Sequence, residues 1–199
     1  MAKKSVAIIG EGETEWFYFE SMRILKRYSY QLKPTFPKHS DWRYIFKQAR
    51  QCIKEGYDKV FCLIDMDVMY TKPNEMVSYK AEKEKILKEG AIVFETNPCT
   101  EFWFLVHFLP TLSTKNYRNC DEVVKDLRKY LPGYEKSKKY FKKTNLYQDL
   151  TSKGDLQKAI QYADQLYEIA QETPEDSHAY TQIHEVLIQL DSLEQDEKQ

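Results

Sequence analysis

The sequence predicts an α/β fold, a parallel sheet flanked by helices with a helical C-terminal extension. Three observations predict it. Short apolar runs alternate with helix-like patterns through the first half, as expected of strands joined by helical crossovers. Those runs lack polar alternation, the mark of strands covered on both faces. From Asp121 onward only helical patterns occur. Residues 1–110 are therefore expected to form the α/β core, and residues 111–199 a helical layer packed on it within the same domain.

The first run, Ser5-Val6-Ala7-Ile8-Ile9, is a strand that stops at Gly10. Residues 14–27 follow as a helix, with Thr14 as N-cap and Trp16, Phe17, Phe19, Met22, Ile24 and Leu25 forming a broad apolar face. A weaker, Pro-interrupted strand over 31–36 precedes a helix over 41–55 that closes at Gly56. The strand at 59–64 runs directly into Asp65-Met66-Asp67, and a charged helix over 74–88 ends at Gly90. A third strong strand, 91–94, leads through Asn97-Pro98-Cys99-Thr100-Glu101 into an apolar helix reaching Phe108. Beyond Pro110, helices are expected over 121–131, 155–172 and 180–193. A Lys-rich connection separates the first two, and the acidic tail from Glu194 is expected to fray.

At 199 residues the chain is long enough for one real core and too short for a multidomain machine. Lys+Arg 30 against Asp+Glu 31 leaves a net charge of -1, so any polyanion site must be local. The longest apolar runs fall far short of the ~20 residues of a membrane helix, and the N-terminus has no signal-peptide pattern. A soluble, cytoplasmic protein is expected. Cys52, Cys62, Cys99 and Cys120 lack the short spacing of a zinc knuckle or redox pair and read as buried small hydrophobes in a reducing compartment. The four histidines show no metal-binding spacing, which argues against zinc hydrolysis.

In an open parallel sheet, sites form beyond the carboxyl ends of the strands. Gly10-Glu11-Gly12-Glu13-Thr14-Glu15 follows the first strand, Asp65 and Asp67 the second strong one, and Glu101 the third. In extended chain, residues two apart point the same way, so Asp65 and Asp67 can face one point while Met66 packs inward. Each piece has an ordinary explanation: a solvated turn, a tight glycine turn, helix capping. Their coincidence on one edge favours a functional cluster. Hard oxygen ligands suit Mg²⁺ or Mn²⁺, and a divalent ion relieves the repulsion of crowded carboxylates. Bare phosphate binding fits less well. Glu15 stands where a dinucleotide fingerprint needs its third glycine, and no Gly-Lys-Ser/Thr follows to make a Walker A loop.

These residues resemble a known family. Ala7 through Glu15, Leu63-Ile64-Asp65-Met66-Asp67 and the segment from Asn97 to Phe108 look like the RloB family, as do Leu131-Pro132-Gly133-Tyr134-Glu135-Lys136 and Tyr180-Thr181. The resemblance spans nearly the whole chain. It implies a Toprim-like (Rossmann-like) fold, related to the OLD-type nucleases, and genes in bacterial anti-phage defence loci beside an ATPase partner protein. Carried over by motif, Glu11 matches the acid after the first strand, and Asp65 and Asp67 match the Asp-x-Asp pair. Glu15 resembles the additional OLD-type acid, and Glu101 and Lys136 match RloB-type positions. The lysine-dense stretch at 136–143 departs from the family pattern as a local insertion.

The leading expectation is metal-dependent nuclease chemistry on DNA or RNA. Glu11, Glu15, Asp65 and Asp67 would hold Mg²⁺ or Mn²⁺, with Glu11 alternatively accepting a proton from the attacking water and Glu101 orienting. Lys136, Lys138, Lys139, Lys142 and Lys143 would hold the nucleic acid, with Tyr140 and Phe141 stacking on an unpaired base. Taken alone, the lysine run is a solvated loop and the two aromatics are core. The competing classes are a Mg²⁺-binding signalling module, a metal-using phosphatase or glycosyltransferase, and a non-catalytic partner subunit of a defence complex. Met69 occupies the place where the phosphatase pattern wants Thr or Val. An oligomer is possible.

Overall fold

A computed structural model describes residues 3–36, 39–173 and 178–196. The elements in chain order are β1 (Ser5–Ile9), α1 (Glu13–Lys26), β2 (Gln31–Thr35), α2 (Trp42–Lys54), β3 (Lys59–Asp65), α3 (Asp67–Thr71), α4 (Pro73–Lys88) and β4 (Ile92–Asn97). After them come α5 (Glu101–Val106), α6 (Cys120–Leu127), α7 (Lys138–Phe141), α8 (Leu146–Lys153), α9 (Leu156–Glu172), β5 (Tyr180–Thr181) and α10 (Ile183–Asp196). The five strands form one sheet in the order β2-β1-β3-β4-β5.

β1 pairs in parallel with β2 and β3, and β3 with β4, in the register Ile9↔Cys62 and Asp65↔Thr96. β5 runs antiparallel to β4, with Asn97 opposite Tyr180. This corrects two expectations: the sheet is not wholly parallel, and Tyr180-Thr181 is an edge strand rather than the start of the last helix. The two residues sit against the end of β4 and Gln182 caps the pairing, its amide donating to the Glu95 carbonyl at 3.0 Å. Pro34 is accommodated because β2 lies at the other edge.

The strand pleat sorts the core. Val6, Ile8, Phe61, Leu63 and Phe94 face one cluster, which draws on α1, α5, α6, α8, α9 and α10. Ala7, Ile9, Val60, Cys62, Ile64 and Val93 face the other, against α2 and α4. Both faces of the central strands are therefore apolar, which is why their sequences do not alternate. In α2 the buried Trp42, Ile45, Phe46, Ala49 and Cys52 recur at helical spacing, and Asp41 caps the helix by accepting the Arg43 amide at 2.7 Å. Gly56 (φ +82) and Gly90 (φ +107) make the left-handed turns that close α2 and α4.

Several boundaries differ from expectation. The N-cap of α1 is Gly12, not Thr14, because Thr14 already has a partner elsewhere, donating its hydroxyl to Glu101 Oε1 at 3.2 Å. The connection at 132–154 is not plain loop: Ser137 and Asn145 cap the short helices α7 and α8 by accepting the Tyr140 and Gln148 amides. α5 stops at Val106 and α6 at Leu127, earlier than the apolar pattern suggests. The tail does not fray at Glu194. Its carboxylate accepts the amide and hydroxyl of Ser29 at 2.7 and 2.8 Å, and α10 continues to Asp196. Residues 197–199 lie outside the described set.

Cys99 and Cys120 are joined in a disulfide, Cα to Cα 5.6 Å, whereas Cys52 and Cys62 are buried free thiols. The expectation of four isolated small hydrophobes fails for the first pair because tertiary packing lays the start of α6 against the loop before α5. Among the described residues no helix is long and apolar enough to cross a membrane.

Candidate functional site

The carboxyl ends of β1, β3 and β4 are adjacent in the sheet, so the loops that follow them meet. Glu11 reaches across from the β1 loop, and its Oε1 accepts the backbone amide of Asp65 at 3.0 Å. Asp65 is the last residue of β3. Its Oδ1 accepts both the amide and the hydroxyl of Thr100, at 3.0 and 3.2 Å, which ties β3 to the β4 loop. Backbone bonds stitch the same two loops, from Met66 to the Thr96 carbonyl (2.8 Å) and from Asp67 to the Pro98 carbonyl (3.2 Å). The Asn97-Pro98 peptide is cis.

Glu15 folds back onto its own loop and takes the Gly12 amide at 2.6 Å. Gly10 is required for this close approach: a Cβ there would lie 2.6 Å from Glu15 Cβ and 2.8 Å from its Cγ. The glycine therefore makes room for an acid instead of cradling a phosphate.

Glu101, in the first turn of α5, is fully buried. Its Oε1 accepts the hydroxyls of Thr14 (3.2 Å) and Tyr134 (3.0 Å), and the Lys136 ammonium donates to Oε2 at 3.2 Å. Cys120 Sγ lies 3.1 Å from Oε2, and because that sulfur is oxidised it carries no proton to donate. Lys136 is half-exposed and faces the acids.

Glu11, Glu15, Asp65 and Glu101 thus share essentially one cation. Burial, then the charge of Glu15, pushes the Glu11 carboxyl up to about 8 against the pull of the Asp65 amide. Burial and the charges of Glu15, Glu11 and Glu101 hold Asp65 well above the usual carboxylate range, Lys136 opposing. Burial raises Glu15 as well, although the Thr100 hydroxyl counteracts it. Burial pulls Lys136 down, but the neighbouring charges of Glu101, Asp65 and Glu15 outweigh it and raise the ammonium. Buried acids that lack matching positive charge are the donor set a divalent cation neutralises.

Asp67 sits differently from the two-residue periodicity argument. Met66 leaves the strand for helical backbone (φ -96, ψ -3), so Asp67 opens α3 and its Oδ1 accepts the Val68 amide at 2.6 Å. Its charge still bears on Glu11. Met66 packs inward as expected. Among the described residues, the set of side chains whose ligand atoms all lie within 4.8 Å of one another is Cys99, Glu101 and Cys120. It is a poor cage: the sulfurs are bonded to each other, and the Lys136 ammonium lies 3.7 Å from Cys120 Sγ. By donor chemistry, Glu11, Glu15, Asp65 and Asp67 fit Mg²⁺ or Mn²⁺ better, being oxygen ligands that follow β1 and β3 on one edge.

The lysine run divides. Lys136 joins the acids. Lys138 is 3.6 Å from Glu13 and lies over the Phe36 ring, 5.0 Å from its centroid. Lys139, Lys142 and Lys143 are exposed. Phe141 is a buried core side chain stacked on Phe17, and Tyr140, partly buried, packs against the core edge-on to Tyr134. Sequence reasoning missed the supporting groups Thr14, Thr100, Tyr134 and Cys120. The first three lie inside the quoted motifs but read as capping or framework residues, and nothing local marks Cys120.

A family model described as RloB-like protein matches residues 6–190 of the chain. No curated protein and no solved structure matches.

Proposed function

Because the chain belongs to the RloB-like protein family, we propose that it is a metal-dependent nuclease with a Toprim-like core, acting on DNA or RNA in bacterial anti-phage defence. The observation that carries this reading is the convergence of Glu11, Glu15 and Asp65 at the carboxyl ends of parallel strands with too little positive charge to balance them.

Glu11 and Asp65, with Glu15 and Asp67, would hold Mg²⁺ or Mn²⁺. The bound ion would supply Lewis acidity at a phosphoryl oxygen and a lower pKa for water. The chain's own residues do the rest. As the alternative to ligation, Glu11, whose carboxyl burial and the charge of Glu15 push up to about 8 in the metal-free chain, would take a proton from the attacking water. Thr100 fixes the Asp65 rotamer through two hydrogen bonds. Lys136 places an ammonium at the mouth of the cluster, where it can bind a phosphodiester oxygen, and Glu101 orients that ammonium through the 3.2 Å ion pair.

A second reading has one observation in its favour. No three of Glu11, Glu15, Asp65 and Asp67 bring ligand atoms within 4.8 Å of one another among the described residues. A site that closes only on binding an ion, a nucleic acid or an ATPase partner protein belongs equally to a Mg²⁺-binding signalling protein or a partner-dependent subunit of a defence complex.

The test is incubation of the purified chain with DNA and RNA, tRNA included, in Mg²⁺, Mn²⁺ or chelator, beside Glu11→Gln and Asp65→Asn. Cleavage that needs metal and disappears in both folded variants is expected. Cutting by both variants at the wild-type rate removes the proposed site, and absence of cutting by the wild type in every condition leaves the second reading.

A further inference from the structure

A groove of about 560 Å³ opens between α1 and the segment that carries α7. Its floor is aromatic: Phe17 stacks on buried Phe141, with ring centroids 5.3 Å apart. Its rim is formed by Trp16 and Phe36, which meet edge to face with centroids 5.3 Å apart and ring planes at 72°, Trp16 also meeting Phe17 edge-on at 4.8 Å. Phe36 is 41% exposed, an unusual state for a phenylalanine in a chain that buries most of its aromatics. Lys138, Lys142 and Lys143 line the same groove. One acid, Glu20, also lines it, and that carboxylate is already engaged by the Arg23 guanidinium at 2.8 Å.

The groove joins the acidic site through two elements. Trp16 follows Glu15 directly on α1, and α7 begins two residues after Lys136, whose ammonium is on Glu101. The two elements that wall the groove thus adjoin members of the acidic cluster, Glu15 and Lys136. Partly exposed aromatic rings next to the exposed Lys142 and Lys143 are complementary to one class of polymer, whose bases are planar and whose linkages are anionic. A duplex does not fit the groove, since its bases are already stacked on each other.

We propose that this groove seats an unpaired nucleobase of a single-stranded nucleic acid, with Trp16 and Phe36 as stacking faces and Lys142 and Lys143 on the adjoining phosphates. The assignment deepens the nuclease reading and rests on it, while the binding itself does not require hydrolysis. Lys138 is the least available of the three lysines, because it already lies over Phe36 and near Glu13. The two aromatics expected from sequence to stack, Tyr140 and Phe141, instead support the floor.

The experiment measures anisotropy of a labelled single-stranded oligonucleotide and of its duplex, with the full chain in chelator, so that cleavage plays no part. Trp16 is the tryptophan that can report on the groove, since Trp42 and Trp103 are buried. Single-strand binding tighter than duplex binding is expected, with quenching of tryptophan emission that Trp16→Phe abolishes while retaining affinity. Trp16→Ala and Phe36→Ala should each weaken binding about 10-fold, within the range for loss of one stacked base. Lys142→Ala with Lys143→Ala, both at exposed positions that leave the core untouched, should lower the salt slope by roughly 1.4. Groove variants that bind like the wild type, whether because nucleic acid docks elsewhere or because the groove serves a protein, overturn the proposal, as does a wild type that binds no single strand. Neither result touches the cleavage assay. Conversely, groove-dependent binding without cleavage upholds the groove and defeats the nuclease reading.

Discussion

The Glu11 carboxylate accepts the backbone amide of Asp65 at 3.0 Å, so the first loop acid is bonded to the strand that presents the second. This bond favours the ionised form of Glu11, yet burial and the charge of Glu15 prevail and raise the group from 4.5 to about 8. A carboxyl whose folded pKa lies above its unfolded value contributes stability that is fully present below the unfolded pKa and lost as pH rises through the folded one. In chelator, thermal stability should therefore decline between about pH 5 and pH 8, and Asp65 acts in the same direction. Glu11→Gln retains an oxygen for the Asp65 amide and should flatten that decline. Mg²⁺ or Mn²⁺ should flatten it in the wild type, because the ion favours the charged carboxylates. A melting profile with the same pH slope in wild type and Glu11→Gln would show that Glu11 is not the titrating group.

Gly10→Ala tests the space left for Glu15. The added Cβ would meet Glu15 Cβ and Cγ at 2.6 and 2.8 Å, which only movement of the α1 start can relieve. The expected outcome is a stability loss of about 1–3 kcal/mol and at least a tenfold weaker Mn²⁺ affinity by calorimetry. Unchanged affinity would mean that Glu15 is no ligand.

Lys136→Met leaves Glu101 fully buried without its ammonium. Removing one partner of a buried pair costs about 3–5 kcal/mol, and because Lys136 is half-exposed the expected loss is nearer 1–3. Lys136→Met combined with Glu101→Gln should recover part of it, since a neutral amide can still accept from Thr14 and Tyr134. A strictly additive double-mutant cycle in urea would deny the coupling.

Disulfide connectivity is checked by counting thiols. Under denaturing, non-reducing conditions alkylation should label Cys52 and Cys62, and after reduction all four cysteines. The bridge closes a loop with a sequence separation of 21, so Cys120→Ser should lower stability by roughly 2–4 kcal/mol without reductant. Four labelled thiols before reduction would dismiss the bridge.

Gly154→Ala probes the junction of α8 and α9. A Cβ there would approach the His107 carbonyl oxygen at 2.9 Å and the Leu150 carbonyl oxygen at 2.8 Å, both backbone atoms that cannot swing away. A loss of about 1–3 kcal/mol is expected, with catalytic readouts of the folded fraction unchanged.

The central strands and long helices were legible because their signals are local. Unbroken apolar runs at 5–9 and 59–64 mark doubly covered strands, and glycines at 56 and 90 stop the helices before them. The acids Glu11, Asp65 and Glu101 were legible by the same logic, since parallel strands deliver their loops to one edge. Tyr180-Thr181 was not, because two residues carry no periodicity and become a strand only through pairing with Thr96 and Asn97. The two-residue period invoked for Asp67 does not operate there, because one helical residue, Met66, interrupts the strand.

Local pattern, then, determined which segments are strands and helices, that both sheet faces are covered, and which acids stand at the strand ends. Tertiary structure alone decided that Thr14, Tyr134 and Lys136 gather on Glu101, that Cys120 meets Cys99, and that Trp16 and Phe36 meet at the rim of a groove while Phe141 is buried. Those relationships join residues up to 122 positions apart, as Thr14 and Lys136 are on Glu101. Their energies depend on burial and approach distance, quantities that exist only once the chain has packed.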